Sequence, residues 1–459
     1  MSHQDHVFAE ATDKSSHLLE VTQWLLSDIV FCKKLHVNCT WTLQTLAMTA
    51  LFWSWSPEST VNERFSCAQR LTGQLLDIAR KPVAYQGFME ILARHTCYLR
   101  EQLLTAFRAH MMTFDAQWKK FGYVLLGVDG TDISVPRTAS NKRAFTSSGK
   151  GKHQSRQQFK KQTARQKKQK SCPRILMTTL FHIPLGLPWS WRLGSKSDNE
   201  RGQLLSMLSE LPRDAMLVGD AGFIGYKFLS AVLGSGAEVV VRVGSNVKLL
   251  KQLGRVKESN GIVHVWPDWA IKKEIAPLTF RLVVLNNGKH PVYLITSVLK
   301  TSKLSDQQVA QVYAMRWDIE LYHRNLKQTM GHQKLLCRSS ENAKIELQWI
   351  VLGYTAMMLY AVDETNQSGI DVQRLSVAKV LAAFRQTARD YRHPIEPGKT
   401  LNDKIACALK DTYQRKSKKQ SHDYPSKRTH KKPGAPTITE ATKQQKFIAK
   451  RIKKLSLTA

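Results

Sequence analysis

The apolar positions fall into distinct patterns along the chain. Up to about residue 120 they recur every three to four positions, the spacing of one buried helix face. Val61–Ile78 shows this with Phe65, Leu71 and Leu75, and Lys81-Pro82 breaks it before a second run over Tyr85–Phe114. From Tyr123 the pattern changes to short apolar blocks: Tyr123–Val128 (YVLLGV), Ile175–Ile183, Pro188–Leu193, Ala215–Gly219 (AMLVG) and Glu238–Val243 (EVVVRV). Blocks this short, bounded by Gly, Pro and Asp, predict buried strands. Helices are predicted between them, one after a Ser197 or Asp198 cap with Leu204, Leu205 and Leu208 inward, and one over Gly225–Leu233. This alternation argues for an α/β core. Residues 245–300 are turn-rich, and VHVWPDWAI, FRLVVLNNG and PVYLITSV read as strands. A strong helix is expected from Ser305 or Asp306 to about Thr329, with buried helices to about Leu409.

Composition bounds this picture. The chain has 459 residues and is 42% hydrophobic, which excludes disorder throughout. It is long enough for about two to four domains. The longest apolar stretch, Leu347–Val362, is interrupted by Gln348 and Thr355. It falls short of the ~20 residues a membrane span needs and reads as a buried helix. Seven cysteines, at 32, 39, 67, 97, 172, 337 and 407, include no CxxC pair. That excludes a disulfide scaffold and a paired-cysteine zinc site, and suits reduced thiols of a cytoplasmic protein. The opening MSHQDHVFAE lacks the features of a signal peptide.

Charge changes the picture most. There are 69 Lys and Arg against 36 Asp and Glu, a net charge of +33. Such an excess points to a polyanionic partner, above all nucleic acid. It is concentrated in two segments. Asn141–Arg174 holds twelve basic residues and no acid, and 415–459 holds fourteen against Asp423 and Glu440. Long like-charge runs favour phosphate contact over idle solvated charge. Both segments are poor in large apolar residues and are expected to be mobile without a ligand.

Two carboxylates end apolar blocks: Asp129 in GVDGT and Asp220 in VGDAGF. Strand ends are where open α/β sheets build sites, and Gly130 and Ala221 leave room there. Each Asp alone is as readily a turn residue. Nearby Asp132 is expected to serve a turn. In the helix QVYAMRWDIELYHRNLKQTMG, the side chains of Tyr313, Arg316, Glu320 and Lys327 fall within a stripe about 60° wide at ~100° per residue. Asp318 points to the opposite side. The stripe is either a site or a solvated face of helical ion pairs. The apolar Met315, Trp317, Ile319 and Tyr322 sit uneasily with the second reading, but the residues alone leave both open.

The spacing Tyr-x2-Arg-x3-Glu-x6-Lys resembles the YREK signature of bacterial insertion-sequence DDE transposases of the cut-and-paste type. GVDGT and VGDAGF resemble that family's first and second aspartate motifs, in the right order. The likeness covers roughly residues 120–345. It implies an RNase H-like α/β catalytic core over 121–345, with 245–300 as a β-rich insertion. It also implies a helical DNA-binding domain over 1–120, a helical C-terminal region over 346–414 and a flexible basic tail over 415–459. By the same resemblance Asp129, Asp220 and Glu320 form a catalytic triad holding two Mg²⁺ or Mn²⁺ ions. Tyr313, Arg316 and Lys327 hold phosphates, Trp266 or its neighbour Trp269 stacks a flipped base, and Arg137 lies near DNA. Lys150, Lys152, Lys160 and Lys161 of the basic segment would clamp DNA across the site. The implied partners are double-stranded DNA, as transposon ends and as target, and a second copy of the chain in a synaptic complex.

Hard divalent cations prefer carboxylate oxygens, and a pair of them suits in-line phosphodiester displacement. Hydrolysis at the transposon end would be followed by attack of the freed 3′-OH on target DNA. That chemistry needs no protein nucleophile, in keeping with the lack of a Ser/His/Asp or Cys/His set. His182 and His323 lack metal-ligand spacing and read as structural.

Overall fold

The computed structural model describes residues 18–27, 29, 31–33, 35–36, 39–77, 83–146, 172–195, 197–254, 261–286, 290–390, 400–411 and 434–458. In chain order its main elements are α1 (Leu43–Trp55), α2 (Val61–Leu75), α3 (Tyr85–Met112), β1 (Val124–Ser134), α4 (Ala139–Phe145), β2 (Arg174–His182), β3 (Leu187–Gly194) and α5 (Glu200–Leu205). Then come β4 (Ala215–Gly219), α6 (Tyr226–Gly234), β5 (Glu238–Val243), β6 (Lys248–Lys251), β7 (Ile262–Val265), α7 (Asp268–Lys272), β8 (Leu278–Asn286) and β9 (Pro291–Thr296). The last are α8 (Asp306–Met315), α9 (Trp317–Arg324), α10 (Ser340–Gln367), α11 (Val377–Asp390), α12 (Leu401–Ala406), β10 (Thr437–Glu440) and α13 (Lys443–Thr458). The fold is mixed α/β. It divides into two compact units, with boundaries after Trp118 and Lys410 and, within elements, inside β1 after Asp129, inside α5 after Glu200 and inside α9 after Ile319.

The first unit comprises 1–118, 130–200 and 320–410 and is mainly helical. Its centre is α10, which packs against α1, α3, α11, α12 and β3. The apolar window of α10 is 94% buried, so it is apolar because protein surrounds it. Where α10 meets α1 the backbones approach closely. A Cβ at Gly353 would stand 1.9 Å from Ser54 Oγ, and Trp55 Nε1 donates to the Gly353 carbonyl at 2.8 Å. Helix α2 starts on a reciprocal capping box between Thr60 and Glu63.

In the β2–β3 hairpin Met177 pairs with Leu193 and Thr179 with Trp191. Its turn is organised by His182. The ring Nδ1 accepts from Leu185 N at 3.2 Å, Nε2 donates to the Trp118 carbonyl at 3.2 Å, and the ring stacks on Trp118 at 5.0 Å. Both hydrogen bonds require neutral imidazole, and burial pushes its pKa down to about 4. His182 is therefore structural, as its lack of ligand spacing suggested.

The second unit comprises 119–129, 201–319 and 411–459 and is built on strands in the order β10-β6-β7-β8-β9-β5-β4-β1. β1, β4 and β5 run parallel, and β9 lies antiparallel to β5. Their continuous Val, Leu and Met runs suit strands covered on both faces. Helix α8 packs on β4, β5 and β8, and α6 on β5 and β8.

Four expectations are corrected here. WPDWAI is not strand: Pro267 precedes the short helix α7. The helix expected over 305–329 is not one helix. It turns at Arg316 between α8 and α9 and ends in a π-helical segment, Asn325–Thr329. Asp132 serves no turn, because β1 runs on to Ser134 and Asp132 pairs with Arg174 of β2 at 3.5 Å. Finally, 437–458 is not a flexible tail. β10 pairs parallel with β6, Thr437 opposite Lys248, and Ala441, Ala449 and Ile452 join a core with Leu250, Leu253, Trp266 and Ala270. The helical spacing of Ile448, Ala449 and Ile452 supplies the apolar stripe that the basic composition conceals.

Candidate active site

The site is built up from strand register. β1 and β4 pair from Val124 with Ala215 through to Gly127 with Val218. Two residues beyond the last paired positions stand Asp129, within β1, and Asp220, the residue after β4. Val124–Val128 and Ala215–Gly219 are buried, and burial relaxes at both aspartates, which are half-buried. The apolar runs anchor the strands, and the acids stand where the cover ends.

Local sequence fixes each acid. Asp220 begins a tight 3₁₀ turn over Ala221–Phe223, and its Oδ1 accepts from Gly222 N at 2.7 Å. A Cβ at Gly222 would lie 2.9 Å from that oxygen, so glycine is required for the approach. Asp129 precedes Gly130, whose missing side chain is replaced by Glu200. A Cβ there would fall 2.2 Å from Glu200 Oε1. Glu200 thus sets a third carboxylate on the backbone next to Asp129. Sequence reasoning missed it, since its only local signal is a place at the head of α5.

Tyr313 and Arg316 lie together in the sheet unit, the guanidinium 5.7 Å from the ring centroid. Both are half-buried. Glu320 and Lys327, also half-buried, fall in the helical unit, on α9 and on the π-helical segment. π segments often mark functional sites. The inner side of α9 is held by Tyr322, stacked on Phe181 at 5.0 Å and edge-on to Tyr354 at 5.0 Å. Glu320 is two residues from Tyr322, about 200° round the helix, and so faces away from that anchor. Asp318 is one helical turn before Tyr322 and shares the anchored side. Arg137 is exposed, just before the α4 cap Thr138, whose hydroxyl donates to the Arg338 carbonyl at 2.6 Å. Lys150, Lys152, Lys160 and Lys161 lie outside the described residues.

Trp266 is a correction. It is 5% exposed, sits in the core closed by α13, and its Nε1 donates to the Ile275 carbonyl at 2.7 Å. No face is open for stacking. Trp269, one turn on, is 38% exposed, with Tyr226 edge-on and the Lys227 ammonium 5.4 Å from its ring.

Among the described residues no three His, Cys, Asp or Glu side chains close into a metal-like group. The side chains just beyond the paired stretch of β1 and β4 offer carboxylate oxygens, which suit a hard divalent cation.

Residues 120–356, just over half the chain, match the transposase DDE domain family, and the chain belongs to that family. Family membership implies use of a divalent metal. The transposase InsG of insertion sequence element IS4 from Escherichia coli (strain K12) is 24% identical over 242 residues, covering 50% of each protein. A relative named for insertion sequence element IS4SA of Synechocystis sp. is 22% identical over 205 residues, 44% of this chain and 55% of that protein. The chain spans about half the length of these curated relatives. A cryo-EM structure of a piggyBac transposase synaptic complex with hairpin DNA aligns over 89% of this chain and 86% of that one, at 11% identity and a TM-score of 0.39.

Proposed function

We propose that this chain is an insertion-sequence transposase that binds transposon ends, cleaves them by metal-dependent phosphodiester hydrolysis and joins the 3′-OH ends to target DNA. The observation that carries this reading is the placement of Asp129 and Asp220 two residues beyond the last paired positions of the neighbouring parallel strands β1 and β4, inside the segment that matches the DDE family. In this proposal Glu320 completes the triad, on the side of its helix opposite the Tyr322 anchor. The three carboxylates hold two Mg²⁺ or Mn²⁺ ions in an RNase H-like core. When bound, the ions supply activation of the attacking oxygen and stabilisation of the leaving one. Tyr313, Arg316 and Lys327, the remaining YREK positions, orient the scissile phosphate. Arg316 does so by a planar fork and Lys327 by a point charge. Arg137 lies along the DNA, and Trp269, the exposed tryptophan of the insertion, is the residue proposed to stack a base. The working assembly is a homodimer on paired ends.

The test is direct. The protein is incubated with Mg²⁺, a labelled duplex of the DNA flanking its gene, and a plasmid target. Nicking followed by joining is expected. Nicking alone would make it a nuclease, and a mobility shift without cutting a DNA-binding regulator. Glu320→Gln should bind ends but not cut them; residual Mg²⁺-dependent cleavage by that variant would sink the triad.

A further inference from the structure

The β10–α13 segment does two jobs on two sides of one helix. Thr442 caps α13 and forms a reciprocal pair with Gln445, whose backbone N–H donates to Thr442 Oγ1 at 3.2 Å while Thr442 N donates to Gln445 Oε1 at 2.9 Å. The inner side, Ile448, Ala449 and Ile452, is packed into the core that holds Trp266. Arg451 turns sideways into an ion pair with Glu274, beyond the end of α7. The opposite side carries Lys443, Lys446, Lys450, Lys453 and Lys454, all exposed, beside Phe447, 66% exposed. At ~100° per residue the five lysines fall within an arc of about 100°, centred about 140° round the helix from the buried stripe.

An ordinary solvated face mixes signs. This one has no acid from Lys443 to Ala459. Its i,i+3 and i,i+4 lysine pairs (443/446, 446/450, 450/453, 450/454) each weaken the free helix. A partner that brings negative charge along a line would match this face. From Lys443 to Lys454 the helix rises about 16 Å, at ~1.5 Å per residue. One strand of duplex DNA presents a phosphate about every 3.4 Å of axis, so that length carries about five.

We infer that the outer face of α13 is a sequence-independent binding surface for the phosphate backbone of double-stranded DNA, mounted on the insertion by its own buried stripe. The inference rests on the reading that the chain acts on DNA, and it adds a contact surface made by lysines outside the YREK set. Phe447 gives the face an apolar edge for the sugar side of the backbone.

The test uses the full chain and the combined variant Lys443→Gln, Lys446→Gln, Lys450→Gln, binding a labelled duplex of unrelated sequence across a salt series. With three phosphate contacts gone, the slope of log affinity against log salt should become shallower by about 2–3 units. Affinity at low salt should drop at least tenfold. The melting temperature should hold, because these side chains are exposed, and the matching Lys→Arg variant should bind like wild type. Unchanged affinity and slope in the glutamine variant, with wild type still cutting transposon ends, would overturn this surface and leave the proposed activity standing. Loss of binding to vesicles of phosphatidylserine and phosphatidylcholine, with DNA binding intact, would overturn it in favour of a membrane surface. A wild-type chain that neither binds nor cuts DNA would overturn both readings.

Discussion

Asp129 and Asp220 stand half-buried just past the buried stretches of their strands, whereas Glu346 of α10 is 1% exposed. The two Glu346 oxygens take the N–H groups of Leu336, at 3.0 Å to each oxygen, and Cys337, at 2.8 Å. Beside it Tyr85 Oη lies 3.3 Å from Cys337 Sγ. Burial pushes the Glu346 pKa up, opposed by those backbone donors and by the Arg64 charge. The same functional group thus serves opposite ends. Glu346 is consumed in pinning the 336–337 segment to α10. Asp220 spends one oxygen on its own turn, and strand register delivers both aspartates to the margin of burial. Glu346 is fully buried among backbone donors, whereas both aspartates sit at intermediate burial.

That contrast breaks most sharply under substitution. Asp220→Asn keeps the turn's acceptor but loses the charge. Cleavage of transposon ends should fall by at least about a thousandfold, several kcal/mol of transition-state stabilisation. The melting temperature should stay put, and a variant that melts early would recast Asp220 as structural. Glu346→Ala should do the reverse. Two buried backbone donors lose their acceptor at about 1–3 kcal/mol each, so a loss of about 3–5 kcal/mol in urea unfolding is expected. Cleavage per folded molecule should be retained. Gly353→Ala probes the same helix by shape alone. Overpacking against Ser54 should cost about 1–3 kcal/mol, read from the same urea midpoint.

The smallest effect concerns pH. The folded pKa of His182, about 4, lies below the ~6.5 of an unfolded histidine. The unfolded chain therefore binds the proton first as pH falls. The stability gained by burying neutral imidazole is complete above about pH 6.5 and drains away toward pH 4. By pH 5 the drop should be about 2 kcal/mol for this residue. Buried His332, pushed down to about 3, acts in the same direction. The stability difference between wild type and His182→Gln should shrink on going from pH 7.5 to pH 5. A constant difference would show that the ring has the same pKa folded and unfolded.

Legibility in the sequence followed the physics of each element. β4 and β5 were bounded correctly from their letters, because Ala-Met-Leu-Val-Gly and Glu-Val-Val-Val-Arg-Val are runs that only a covered strand accommodates. The place of Asp220 just past β4 was legible for the same reason, whereas Asp129, expected at a strand end, lies inside β1. The continuation of β1 through Asp-Gly-Thr-Asp was not, since that tetrapeptide carries turn chemistry which pairing overrides. The turn at Arg316 and the π segment left no trace in composition, which does not encode hydrogen-bond register. Trp266 and Trp269 are equivalent as letters. What separates them is α13, which arrives from far along the chain to bury one of them. Glu200 was invisible likewise, since Gly130 meets it across seventy residues.

The strand and helix at 437–458 close a core whose other members were made much earlier. About 170 residues separate Trp266 from β10, and a ribosome adding about 5–20 residues per second needs roughly 10–30 s to cover them. For that interval the nascent β6 lacks its β10 neighbour and Trp266 its cover from α13. The basic helix and the cover of this core are therefore supplied together, by one segment made after the strands it closes.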